Sequence, residues 1–195
     1  MASPYDAPVT DSAKRGVRSG LRARRRGLAA ARDLGPDGAD ARALATRALA
    51  LVDGLDLTRP AVVLSYASVP GEPPTTALNA ALVAAGHRVL VPITLPGLDL
   101  DWHDVTAGPD RPLGRDAPGL ADLVLAPGLA ADGRGTRLGQ GGGCYDRALP
   151  RRRPGTPVVL VLHPGELDTG ATLPREEHDE PVDAVLTADG VVRLR

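Results

Sequence analysis

Apolar residues fall in short blocks along this chain, and the spacing inside each block predicts its structure. Ala61 to Tyr66, Arg88 to Pro92, Asp122 to Ala126 and Pro157 to Leu162 hold brief, nearly unbroken apolar runs, the pattern of strands buried on both faces. Leu98, Leu100 and Trp102 alternate with Asp99, Asp101 and His103; that is the period of a strand with one wet face, and it suits a sheet edge. Ala184 to Thr187 adds another strand, and Ala188-Asp189-Gly190 turns the chain into a terminal one, Val191 to Leu194.

Helical spacing separates these strands. Ala41, Leu44, Ala45, Ala48, Leu51 and Val52 form one stripe between Asp37 and Gly54, and Leu78, Ala81, Leu82 and Ala85 form another between a Thr75 or Thr76 cap and Gly86. A short helix from about Tyr145 to Leu149 is expected after a glycine-rich stretch. Strand, helix, strand with short connections is a crossover unit with parallel strands. The pattern predicts an α/β chain with a mostly parallel central sheet covered by helices, whose ligands bind at the loops leaving the carboxyl ends of strands. Residues 1–12 lack periodicity and read as a frayed arm, which leaves residues 13–195 as one domain.

Charge changes the picture at one place. Lys14, Arg15, Arg18, Arg22, Arg24, Arg25, Arg26 and Arg32 form a run without acids; the rest of the chain then carries −9, against −1 overall. From Ser12 the run reads as a helix with Lys14, Arg18, Arg22 and Arg25 on one face, although Gly16, Gly20 and Gly27 work against it at roughly 1 kcal/mol each. Apart from Lys14 and Arg18, the run reads as a solvated basic face. Four aromatic residues, Tyr5, Tyr66, Trp102 and Tyr145, supply few stacking platforms, which argues against nucleic acid as a ligand. No apolar stretch approaches the ~20 residues needed to span a bilayer, and the N-terminus has no apolar core of a secretory signal. The single cysteine, Cys144, agrees with a reducing compartment, and a cytoplasmic location is expected.

Candidate chemistry concentrates in Arg137-Leu138-Gly139-Gln140-Gly141-Gly142-Gly143-Cys144-Tyr145-Asp146-Arg147. Glycines let the backbone approach a ligand closely and aim successive N–H groups at phosphate oxygens, with Arg137 and Arg147 available for charge-assisted bonds. Composition alone also allows a flexible surface turn here. Lys14 is the only lysine, so no Gly-Lys-Ser/Thr ending exists, and Cys144 stands where a dinucleotide fingerprint needs its third glycine. The four histidines, His87, His103, His163 and His178, lack paired zinc spacing.

Pro127-Gly128-Leu129, Asp132, Gly135 and Arg137-Leu138-Gly139-x-Gly141-x-Gly143-x-Tyr145-Asp146 resemble the hallmark of 5-formyltetrahydrofolate cyclo-ligases. Lys14 and Arg18 are similar to that family's N-terminal Lys-x-x-x-Arg, Glu72 to its substrate-binding glutamate, and Pro174, His178, Asp179, Asp183 and Thr187 to its closing segment. Two positions depart: Cys144 stands where the family usually has a first tyrosine, and Ala131 where it has an aromatic. The resemblance implies a three-layer α/β/α domain similar to the NagB/RpiA/CoA-transferase-like fold, and a monomer.

The activity it implies is ATP- and Mg²⁺-dependent cyclisation of 5-formyltetrahydrofolate, with or without a polyglutamate tail. On that reading Arg137, Tyr145 and Glu72 are catalytic. Lys14, Arg18, Arg137, Leu138, Gly139, Gln140, Gly141, Gly142, Gly143, Cys144 and Tyr145 bind ATP. Ala67, Glu72 and Tyr145 bind folate, and Asp146 and Asp179 hold the metal. The residues by themselves also admit a noncatalytic nucleotide- or RNA-binding module, and the fold admits a sugar-phosphate isomerase or CoA-transferase-like enzyme.

Overall fold

A computed structural model describes residues 9–57 and 60–194, with side chains from residue 13 onward. Two helices open the chain, α1 (Val9–Ala30) and α2 (Ala39–Asp53). There follow β1 (Val62–Leu64), α3 (Thr76–Ala84), β2 (Arg88–Thr94), β3 (Leu100–Asp104) and β4 (Leu123–Pro127). Next come β5 (Ala130–Asp132), β6 (Arg137–Leu138), α4 (Cys144–Ala148), β7 (Val158–Val161), β8 (Leu167–Asp168), β9 (Ala184–Leu186) and β10 (Val191–Arg193). Helix α1 begins inside the arm expected over residues 1–12; the rest of that expectation, residues 1–8, lies outside the described residues.

The main sheet has the order β10-β9-β7-β4-β1-β2-β3. Its five inner strands run parallel, and β3 and β10 close the two edges antiparallel. Alternate side chains build two separate cores. One face sets Val63, Val89, Leu123, Leu125, Val159 and Val161 against Leu44, Ala48, Val52, Leu78 and Leu82 of α2 and α3. The opposite face sets Leu64, Leu90, Val124, Ala126, Val158 and Leu160 against Trp102, Tyr145, Ala148 and Leu149. Each fully buried Leu or Val contributes roughly 1.5–3 kcal/mol, so both layers of helix are held by the same few strands.

From β1 the chain crosses to β2 on one side, whereas β4, β7 and β9 extend the sheet on the other. The direction of winding therefore reverses between β1 and β4, and a crevice opens beyond their carboxyl ends. This reversal places the site.

A second, three-stranded sheet, β6-β5-β8, stands where the glycine-rich sequence reads only as loop. Its cause is Asp132, fully buried. One carboxylate oxygen accepts the amides of Arg134 at 3.0 Å and Thr136 at 2.9 Å, and the other accepts that of Leu173 at 3.0 Å. Burial works against ionisation, but these bonds outweigh it and hold the Asp132 carboxyl below its usual range. The turn they shape launches β6 and so aims Arg137.

Candidate functional site

Helix α1 is rich in cations, and several of them bind the body of the protein. Lys14, buried, donates to Glu176 and Asp179 at 2.6 Å each. Burial disfavours its charge, yet the bonds and charges of Asp179 and Glu176 prevail and raise its pKa. Arg18 Nε donates to the Gly139 carbonyl at 3.1 Å, and Arg22 Nη2 to that of Gln140 at 2.6 Å. Arg25 is buried as well and forms a two-pronged bond with Glu166. The expected solvated face beyond Lys14 and Arg18 is thus corrected for Arg25, which is buried, whereas Arg22 stays exposed while reaching the Gln140 carbonyl. No bulk is required at Gly16, Gly20 or Gly27, where an added Cβ would meet nothing within 4 Å.

A cavity of about 470 Å³ opens at the reversal point. Its floor is the segment following β6. Gly141 has φ +104° and Gly143 φ +65°, conformations that favour glycine, and a Cβ on Gly141 would come 3.4 Å from the Arg18 guanidinium. The amides of Gly139 to Gly143 donate to no acceptor among the described residues, so this wall presents a row of uncommitted N–H donors. Arg137, with its side chain 3% exposed, is ion-paired to Asp146. Arg147 does not serve the cavity as the sequence suggested: it donates to Asp99 Oδ1 at 3.1 Å and to the Leu98 and Gly142 carbonyls, pinning the loop to the turn between β2 and β3.

The facing wall follows β1. Ala67 and Glu72 line the cavity there, together with Tyr66, which the sequence reading overlooked. The available signal was a polar-tipped aromatic closing an apolar run. The hydroxyls of Tyr66 and Tyr145 are both buried and have no hydrogen-bond partner among the described residues. Tyr145 packs edge-on against Trp102, centroids 6.2 Å apart and planes at 89°. Burial pushes both phenols upward, so each keeps its proton and stands as a donor. Glu72 accepts the Val69 amide at 3.2 Å, and burial raises its pKa despite that bond and the nearby Arg25 and His163. Cys144 is half-buried in the cavity wall. Ala131 is buried in the core and is not among the residues lining the cavity, so its lack of an aromatic ring alters packing beneath the site.

Asp146 and Asp179 both reach this cavity. Glu176, His178 and Asp179 bring one ligand atom each within 4.8 Å of one another, a proximity that histidine spacing in the sequence does not reveal. Two carboxylates and one exposed imidazole form an oxygen-rich set suited to a hard divalent cation that keeps water and phosphate ligands. Both candidate metal carboxylates are neutralised by basic side chains, Asp146 by Arg137 and Asp179 by Lys14.

Comparison with known proteins gives the relatives of the chain. A model of the 5-formyltetrahydrofolate cyclo-ligase family matches residues 10–188. The chain is 36% identical over 152 residues to a 5-formyltetrahydrofolate cyclo-ligase of Mycolicibacterium smegmatis, covering 68% of this chain and 77% of that protein. It is 33% identical over 156 residues to the protein of that name from Escherichia coli K12, covering 69% and 85%. The NMR structure of Aquifex aeolicus 5,10-methenyltetrahydrofolate synthetase superposes with a TM-score of 0.66 at 25% identity over 93% of both chains. A 5,10-methenyltetrahydrofolate synthetase from Mycoplasma pneumoniae shares the fold, with a TM-score of 0.64 at 15% identity over 93% and 99%.

Proposed function

The chain belongs to the 5-formyltetrahydrofolate cyclo-ligase family, and we propose that its central cavity carries out the ATP-driven closure of 5-formyltetrahydrofolate to 5,10-methenyltetrahydrofolate. The observation that supports this placement is the meeting, at the point where the sheet reverses, of a cation-rich glycine wall with a wall of proton-bearing tyrosines and a half-buried glutamate. One wall suits a polyphosphate and the other a flat, hydrogen-bonding heterocycle.

A formamide oxygen is a poor leaving group. Transfer of the γ-phosphoryl group from ATP to that oxygen releases ADP and makes it a phosphate ester. N10 then attacks the formyl carbon, the C–O bond breaks to release phosphate, and N10 gives up its proton. The chain's own task is alignment and charge neutralisation. The uncommitted amides of Gly139 to Gly143 hold phosphate oxygens, with Leu138, Gln140 and Cys144 completing the nucleotide wall. Arg137 neutralises charge on the transferring group, and Lys14 and Arg18 close over the nucleotide from α1. Glu72 orients the folate, Ala67 leaves room for it, and Tyr66 and Tyr145 donate to its polar atoms.

Asp146, and Asp179 with Glu176 and His178 close to it, would hold Mg²⁺, which supplies charge neutralisation along the polyphosphate. Arg137 pairs with Asp146 and Lys14 with Asp179, so each candidate metal carboxylate stands next to a cation that would serve the phosphates. The whole of residues 13–195 acts in this reading as one catalytic unit, since α1 and the closing segment supply opposite sides of one ion cluster. Among the described residues no helix is long and apolar enough to cross a membrane; we assign the enzyme to the cytoplasm, acting as a monomer.

The family match does not favour the nucleotide- or RNA-binding module or the isomerase-like reading. The test is a coupled assay with ATP, Mg²⁺ and 5-formyltetrahydrofolate, in which methenyl absorbance and ADP appear together and neither appears when one substrate is withheld. ADP release that ignores the folate would overturn the proposal.

A further inference from the structure

Behind Glu72 lies a buried polar chain that the steps above do not use. His163, 1% exposed, follows β7. Its backbone amide donates to Glu166 Oε2 at 2.9 Å, and the Glu166 amide closes a turn onto the His163 carbonyl at 3.1 Å. Glu166, 3% exposed, is held by Arg25 through two bonds of 2.6 Å, and Arg25 Nη2 also reaches the Gly128 carbonyl at 2.5 Å. The outer end of the chain is the His163 ring, whose Nε2 lies 3.0 Å from the Gly71 carbonyl oxygen. A carbonyl only accepts, so Nε2 carries the proton. Gly71 immediately precedes Glu72.

The loop after β1 is anchored at its base, where Ser68 and Thr75 exchange hydrogen bonds and Thr75 and Asn79 donate to the Tyr66 carbonyl. Within its tip Glu72 N donates to Val69 O at 3.0 Å and Val69 N to the Glu72 carboxylate. The bond from His163 is the one described hydrogen bond tying that tip to the body of the protein. A fully buried imidazole, fixed at its backbone by an ion-paired glutamate, has little freedom and makes a stiff strut. First contacts need such support, because a loose ligand side chain gives up part of its binding energy to ordering.

We infer that His163 is a positioning residue: through the Gly71 carbonyl it holds Glu72 at the cavity wall, and the Arg25–Glu166 pair holds His163. This rests on the reading of Glu72 as a folate-binding group. The role is distinct from catalysis, since the ring touches backbone and not the cavity.

A double-mutant cycle tests it, with KM for 5-formyltetrahydrofolate and for ATP, kcat and melting temperature measured for Glu72→Ala, His163→Phe and the pair. His163→Phe keeps ring volume and deletes the donor. Its folate KM should rise about five- to tenfold, the effect of losing one buried hydrogen bond, with ATP KM changed less than about twofold. His163→Gln, which retains an N–H of similar reach, should recover most of the loss. The double variant should be no worse than Glu72→Ala, because both changes break one connection. If the phenyl variant does not fold, His163→Asn replaces it, keeping a polar group that stops short of Gly71. Folate and ATP constants rising together, no rescue by Gln, or multiplying defects in the pair would overturn the inference. Unaltered folate KM in Glu72→Ala alone would instead defeat the assignment of Glu72, a result that does not involve His163.

Discussion

Asp146 has two possible employments, and one substitution separates them. It is the counter-ion of Arg137, whose side chain is 3% exposed while that of Asp146 is 21% exposed. Asp146→Asn keeps the shape and an acceptor oxygen but removes the charge. Breaking a fully buried ion pair costs about 3–5 kcal/mol. Here one partner is a fifth exposed and the amide oxygen still accepts from Arg137, so the expected loss falls to about 1–2 kcal/mol. For a chain of this length that lowers the melting temperature by roughly 2–8 °C. This half of the effect belongs to the ion pair alone.

The other half concerns Mg²⁺. An amide offers a hard cation one neutral oxygen in place of a carboxylate, and the concentration of Mg²⁺ giving half-maximal rate should rise at least about tenfold. The assay is the initial rate of methenyl formation across a Mg²⁺ titration at saturating ATP and folate, paired with thermal melts of the same preparations. A lowered melting temperature with a Mg²⁺ curve superposable on that of the unsubstituted enzyme would show that Asp146 serves Arg137 only, and the metal assignment would be refuted.

Three further outcomes follow from the geometry. Gly141→Ala forces a side chain into φ +104° beside Arg18; at about 1–3 kcal/mol of strain, ATP binding measured by titration calorimetry should weaken roughly tenfold or more, and unaltered affinity would remove the loop from the nucleotide site. Tyr66→Phe deletes a buried hydroxyl without a described partner, so the ligand-free melting temperature should hold or rise while folate KM increases several-fold; a clear drop in melting temperature would mean the hydroxyl is structural. Burial raises the folded pKa of Glu72, so its contribution to stability is fully present below the unfolded value and is lost as pH rises through the folded one. Glu72→Gln should therefore be more stable than the parent at neutral pH, with the advantage vanishing toward acid, and should use folate poorly; equal pH–stability curves would contradict the burial argument.

Much of the fold is legible from periodicity. Short apolar runs mark β1, β2, β4, β7 and β9 because parallel strands buried on both faces leave no polar alternation, and the alternating segment forms the antiparallel edge β3 from Leu100 onward, while Leu98, exposed and at positive φ, belongs to the preceding turn. The small sheet β6-β5-β8 was not legible. Its strands are two or three residues long, rich in glycine nearby, and held by the buried Asp132 carboxylate rather than by apolar pattern. In the site, the glycine segment is identifiable from residue type and order, and Lys14, Arg18 and Glu72 from their resemblance to the family's motifs. His163, Glu166 and Glu176 are not, since each acquires its role from a partner far away in sequence.

The sequence by itself determined the class of fold and, through the resemblance of its motif residues, the family, because strand burial, helical spacing and a glycine-rich motif are local properties written in neighbouring residues. Only the tertiary structure decided that the basic helix lies across the glycine wall, that Arg137 and Lys14 neutralise the two candidate metal carboxylates, and that a histidine after β7 braces the loop after β1. Those pairings span from nine residues, between Arg137 and Asp146, to 165, between Lys14 and Asp179. They exist because a parallel sheet gathers the carboxyl ends of strands distant in the chain at one edge, where charge and burial, rather than sequence neighbourhood, choose the partners.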